Sequence, residues 1–196
     1  MDTRNTHTAF AGMTRIAAGP LTEVALVVKH ADPTTAQPLV FDDHCGRVVD
    51  LDLRGTDAEV IARYQPVADP VPARKRGRPK LGVVAREVTL LPRHWDWLSR
   101  QPGGASRALR RLVDDARRAD AGTTDTRQAQ EAAYRFMSAL AGNLPGFEEA
   151  SRALFSDNLP AFEARIANWP KDVKTYALRF MTRTGQPDSK FSQSRA

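Results

Sequence analysis

An α+β fold is expected: a small N-terminal α/β unit with a hairpin, a basic linker, a strand–helix–helix segment and a C-terminal helical region. Three observations lead there. A short apolar run at Leu39-Val40-Phe41 and an alternating run through Val49, Leu51 and Leu53 flank a Gly-containing turn before residue 66. Four prolines and a basic cluster then interrupt all periodicity between residues 65 and 81. From about residue 126 apolar residues recur at helical spacing. The expected boundaries are 1–66 for a small α+β domain, 67–82 for a Pro/basic linker, 83–120 for the strand–helix–helix segment, 126–183 for a helical region and 184–196 for a disordered polar tail.

In the first part, Gly19-Pro20-Leu21-Thr22 opens a helix whose apolar face is Leu21, Val24, Ala25, Val27 and Val28, reaching about Lys29. Leu39-Val40-Phe41 reads as a short strand, and Asp43-His44-Cys45-Gly46 supplies turn residues. Arg47 to Leu53 reads as the second strand of the hairpin, with Asp50 and Asp52 on its polar face. Thr56-Asp57-Ala58-Glu59 is a capping-box pattern, so a helix follows through Val60, Ile61 and Tyr64.

Residues 83–91 are rich in β-branched and apolar side chains and read as a strand. Pro92 sits where a helix start tolerates its missing N–H, and the helix runs from Arg93 to Gln101. Pro102-Gly103-Gly104 breaks it. Ser106 is placed to cap the next helix, which carries Leu109, Leu112, Val113 and Ala116 on one side and ends near Arg118. Farther on, helices are expected over Gln128–Ala141, Phe147–Phe155 and Pro160–Trp169, and from Pro170 through Met181. Their aromatic stripes read as core rather than as a cofactor pocket.

Composition narrows the function. The 196-residue chain is 41% hydrophobic and 27% charged, ordinary for a globular protein. No apolar run approaches the roughly 18 residues that a membrane span needs, and Met1 to Ala11 lacks the apolar stretch of a signal peptide. Cys45 is the single cysteine, so no internal disulfide forms. A cytoplasmic protein is the expectation. The net charge is +6, yet Arg74 to Arg118 alone holds 13 basic and 4 acidic residues, which leaves 16 basic and 19 acidic elsewhere. Positive charge gathered in one part of the chain is the footprint of a nucleic-acid binder.

The centre of that charge is Arg74-Lys75-Arg76-Gly77-Arg78-Pro79-Lys80. Its core resembles the AT-hook, a peptide that lies in the minor groove of A·T-rich DNA. The residue types suit that role. Gly77 has no Cβ to hold the backbone off the groove floor. Pro79 biases Arg78 to an extended conformation. Arg76 and Arg78 would then lie along a narrow groove of strong negative potential.

The order strand, Leu91-Pro92, helix, Gly-Gly turn, Ala105-Ser106-Arg107-Ala108-Leu109-Arg110-Arg111-Leu112-Val113 resembles the ribbon-helix-helix family of bacterial repressors and antitoxins over about residues 83–118. That resemblance implies a homodimer whose paired strands enter the major groove. It also implies that Ser106 and its neighbours at the second helix start meet phosphate. Counted back from Leu91-Pro92, the family pattern turns Arg86, Val88 and Leu90 outward. A one-residue shift in register turns out Thr89 instead. The strand has two possible partners, its twin in a dimer or a strand of its own chain. Over nearly its whole length the chain also resembles a bacterial family of uncharacterised function. The shared hallmarks are Arg76 to Gly82, Leu91 to Trp97 and Gly142 to Glu149.

Other chemistry is weakly signalled. His44-Cys45 beside Asp42 and Asp43 lacks the paired spacing of a metal site, and a turn explains it. Asp50 and Asp52 read as a solvated strand face, and His94 as a surface position. No phosphate-loop, dinucleotide or nucleophile-elbow motif is present, so no enzyme, cofactor or metal is expected. The expected partner is double-stranded DNA, contacted by Arg74, Lys75, Arg76, Gly77, Arg78, Pro79, Lys80, Arg86, Thr89, Ser106, Arg107, Arg110 and Arg111. The alternative is an antitoxin-like interaction module whose basic arm meets an acidic protein.

Overall fold

The computed structural model describes residues 6–32, 36–66 and 86–182. The Arg74–Lys80 motif, the linker from 67, residues 83–85 of the expected strand and the tail from 184 lie outside the described residues. The described chain is α+β, a three-stranded antiparallel sheet with eight helices, and it divides into two units.

The larger unit holds residues up to Pro66 and those from Gly122. Its sheet has the order β2-β1-β3, with β1 (Thr6–Ala11) central, β2 (Thr14–Pro20) and β3 (Leu39–Asp42) at the edges. β1 and β2 form a hairpin that pairs Ala11 with Thr14, leaving Gly12-Met13 as a two-residue turn. Gly12 has φ 57°, the left-handed value that favours glycine in such turns. Helix α1 (Leu21–Lys29) and the capping-box helix α2 (Asp57–Tyr64) follow where the sequence places them. In α2 the Thr56 side chain accepts from the Glu59 N–H and the Glu59 carboxylate accepts from the Thr56 N–H.

Alternation along β1 gives the sheet two buried faces. Ala9 joins Val24 of α1 and Val40 in a small cluster on one side. Phe10 and Phe41 point the other way, into the main core with α5 (Thr123–Leu140), α6 (Phe147–Phe155), α7 (Leu159–Arg165) and α8 (Lys171–Thr182). Phe10, Phe41, Phe136, Tyr176 and Phe180 stack through tilted and edge contacts, with centroids 4.6–6.5 Å apart. The N-terminal strands and the C-terminal helices thus close on one core.

Two expected elements differ. The hairpin at Arg47–Leu53 is reduced to one bridge, Phe41 to Val48, supported by the Val49 N–H donating to the Val40 carbonyl at 2.8 Å. Beyond it the chain leaves the sheet edge, and the Asp52 N–H donates to the Tyr64 hydroxyl instead. The strand expected through residues 86–91 is also absent among the described residues, because nothing in the described chain forms a ladder with it.

The smaller unit contributes α3 (Pro92–Ser99) and α4 (Gly104–Asp120). Pro92 opens α3 at its first helical position. Gly103 and Gly104 have φ 84° and 77°, so the turn between the helices requires glycine. Gly103 is the N-cap of α4, and Ser106 lies inside the helix rather than capping it. The left-handed glycine turn, not a hydroxyl, sets this helix start.

Candidate nucleic-acid interface

Helix α4 carries several of the arginines on one face, as its sequence spacing expects. Arg107, Arg110, Arg111 and Arg118, with Asp114, line a cleft of about 440 Å³. The offsets of three, four, seven and eleven residues put them on one helical face, spread over about 16 Å of axis. Four guanidiniums against one carboxylate make a strongly positive surface. Arg110 and Arg118 also pin themselves to the helix: Arg110 Nε donates to the Ser106 carbonyl at 3.0 Å and Arg118 Nε to the Asp114 carbonyl at 3.3 Å. Arg118 further pairs with Asp115. Arg117 and Arg118 sit in the last turn of α4, where cations favour the helix dipole as well.

Of the expected DNA contacts, Arg107, Arg110 and Arg111 come together in this cleft. Ser106 is exposed one turn below Arg110. Arg86 and Thr89 are exposed in the segment before α3 and do not line it. Arg74 to Lys80 lie outside the described residues. Arg118 was not among the expected contacts, although its spacing of seven from Arg111 puts it on the same face.

A second polar constellation, in the larger unit, was not legible at all. Asp43, 2% exposed, accepts from the Thr8 hydroxyl at 2.7 Å and the Tyr176 hydroxyl at 2.7 Å, and pairs with Arg179 Nη1 at 3.0 Å. Burial first, and then the adjacent Asp43 charge, push the Tyr176 phenol well above its usual range. These partners lie 35 and 133 residues from Asp43 in sequence. The arrangement ties β1, the turn after β3 and α8 together, and its donors are spent on the carboxylate.

The turn residues at 42–46 have a structural role. Partial burial acts to raise the Asp42 pKa. The N–H groups of His44 and Cys45, donating to Oδ1 at 2.7 and 2.9 Å, outweigh it and hold the carboxyl below its usual range. Asp52, in the expected polar strand face, pairs with Arg54 and Arg63, and those contacts hold its carboxyl low. Among the described residues no group of three or more His, Cys, Asp or Glu side chains is arranged to hold a metal ion. An apolar groove of about 520 Å³ between α1 and the β1–β2 hairpin is lined by Ile16, Leu26, Val27 and Pro38. Its rim residue His30 places Nε2 2.9 Å from Asp57. No described helix is long and apolar enough to cross a membrane.

The chain matches, over residues 6–181, the family model described as an uncharacterized protein conserved in bacteria, DUF2239. It belongs to that family. The match runs through both units and brings no activity with it. No curated protein and no solved structure matches the chain.

Proposed function

We propose that this protein binds double-stranded DNA without catalysis, as a transcriptional regulator or nucleoid-associated protein. The observation that carries the reading is the α4 cleft, where Arg107, Arg110, Arg111 and Arg118 share one exposed face. Planar guanidiniums in a row are suited to consecutive phosphates, and such contacts position a protein without reading sequence. Base selectivity is assigned to the arm: Arg76 and Arg78 in the A·T minor groove, with Arg74, Lys75 and Lys80 on the flanking phosphates. Arg86 and Thr89, exposed ahead of α3, add contacts if a second strand pairs beside them.

The test is fluorescence anisotropy on A·T-rich and G·C-rich duplexes at two salt concentrations. Tight, salt-sensitive binding that prefers A·T, with the preference lost in Arg76→Ala/Arg78→Ala, is the expected result. No binding to either duplex at low salt overturns it.

The alternative is an antitoxin-like interaction module. The observation in its favour is the apolar surface of the smaller unit, where Val88, Leu91, Trp95 and Trp97 are 42–55% exposed. Recovery of one stoichiometric acidic protein and no DNA in a pull-down would support it.

A further inference from the structure

The α4 cleft holds one residue that a phosphate-binding row does not need. At about 100° per residue, Arg107, Arg118 and Arg111 lie within about 40° of one another, and Arg110 lies about 60° to the other side of Arg107. Asp114 falls inside that arc, about 20° from Arg107 on the Arg110 side. Along the axis it stands about 10 Å beyond Arg107 and about 6 Å short of Arg118. Its carboxylate is therefore in the middle of the row, and the residue is exposed. The arginines one turn before and after it are turned elsewhere. Arg110 Nε donates to the Ser106 carbonyl, while Arg118 donates to the backbone carbonyl of Asp114 and pairs with the Asp115 side chain.

On a phosphate backbone alone, four arginines would bind better without it. A carboxylate accepts hydrogen bonds and does not donate them, and phosphate oxygens are acceptors too. Against the backbone Asp114 is repelled by charge and left without a hydrogen bond. The donors that a DNA duplex offers are the amino groups on its base edges. An α-helix, about 10–12 Å across, fits the major groove, about 12 Å wide, and not the minor groove, about 6 Å wide. Side-chain length then sorts the contacts. Asp114 is short and central, so it meets the groove floor beneath the helix. The arginines are long and lie to both sides of it, so they reach the phosphates on the two walls. We infer that α4 takes the major groove of duplex DNA and that Asp114 reads a cytosine there through its N4 amino group. Cytosine suits it better than adenine, whose amino group stands beside the N7 acceptor. The inference rests on the proposed DNA binding. It gives positional choice to α4, beside the A·T preference of the arm.

Selection from a duplex pool with a random centre and a fixed A·T-rich flank tests it, using the full chain and sequencing the bound fraction. The parent protein should enrich a cytosine at one position of the random centre, by at least about fivefold over the other bases. Asp114→Ala should lose that preference while binding the unselected pool more tightly, because a repulsive charge leaves the row. Asp114→Asn should move the preference to adenine, which an amide pairs with through both N6 and N7. Arg76→Ala/Arg78→Ala should keep the cytosine while the A·T-rich flank ceases to matter. The same base enriched at the same position by Asp114→Ala overturns the inference and leaves DNA binding standing. So does a parent protein that binds the pool and enriches no position. A preference for duplex RNA over DNA of the same sequence, lost in Asp114→Ala, overturns it as well, since the donor would then be a 2′-hydroxyl. A parent protein that retains no duplex at low salt removes the DNA reading itself, and this inference with it.

Discussion

At Asp43 three side-chain donors meet one carboxylate that water barely reaches. Thr8, Tyr176 and Arg179 come from β1 and α8, so the cost of removing the acceptor spreads across the fold. Asp43→Ala would leave two hydroxyls and a guanidinium without it. Breaking a buried pair from one side costs about 3–5 kcal/mol, and the low end applies because Arg179 is 39% exposed and can rehydrate. Urea unfolding should therefore show a loss of about 3 kcal/mol. Tyr176→Phe, which removes one donor, should lose about 1 kcal/mol at neutral pH. The phenol also sets an alkaline limit. Its folded pKa lies above the unfolded value near 10, so the folded state keeps a proton that the unfolded chain releases. This contribution is fully present below pH 10 and is lost as pH rises through the folded value, at about 1.4 kcal/mol per pH unit. Unfolding free energies measured from pH 9 upward should fall more steeply in the parent protein than in Tyr176→Phe. Parallel curves would mean that the phenol is solvated and ionises alike in both states.

At the scale of elements, the turn after β3 lies against α5. Gly46 has φ 67°, and a Cβ built there would stand 2.0 Å from the Ala132 carbonyl oxygen. Arg135 Nη1 donates to the Cys45 carbonyl at 3.1 Å beside it, so the turn and the helix are fixed to one another. Gly46→Ala must therefore push α5 away or strain the turn. A loss of about 2–3 kcal/mol in thermal or urea unfolding is expected, with no change in helicity at low temperature. An unchanged melting temperature would show that the turn can slide off α5. At this scale much of the fold was legible. Thr56 and Glu59 announce α2, Pro92 announces α3, and the spacing of Val173, Tyr176, Ala177 and Phe180 announces α8. The central strand was not legible, because Thr6-His7-Thr8-Ala9-Phe10-Ala11 is small and polar and looks like a terminal tail. It is buried all the same, because α1 covers one face of the sheet and the C-terminal helices cover the other. The opposite error at residues 50–53 has the same origin. Val49, Leu51 and Leu53 alternate well, but a ladder partner is a tertiary fact that alternation does not contain. The Asp43 constellation was hidden for the same reason, since its members are joined only by the fold. The α4 arginines were legible as residues but not as a cleft, because the glycine turn at 103–104 moves the helix start ahead of Ser106.

Across the whole molecule charge is segregated. Residues 74–118 carry 13 basic and 4 acidic side chains, while the remainder, with 16 basic and 19 acidic, is slightly negative. Such a chain presents an anionic polymer with one attractive region and one mildly repulsive remainder, which orients it on approach. If the arm and the α4 cleft together neutralise roughly six phosphates, log K should fall against log salt with a slope of about −5. The two parts should then separate under mutation. On that reading Arg107→Ala/Arg111→Ala/Arg118→Ala would remove charges proposed to meet backbone only, so A·T-rich and G·C-rich duplexes should weaken alike and the slope should shrink by about 2.5. Arg76→Ala/Arg78→Ala would remove the proposed groove contacts, so affinity for A·T-rich duplex should drop much more than for G·C-rich duplex. Equal losses on both duplexes in the second variant would reduce the arm to a tether of positive charge. An unchanged slope in the first would take α4 off the phosphates and leave its arginines to the helix itself, where Ser106, Asp114 and Asp115 already hold two of them.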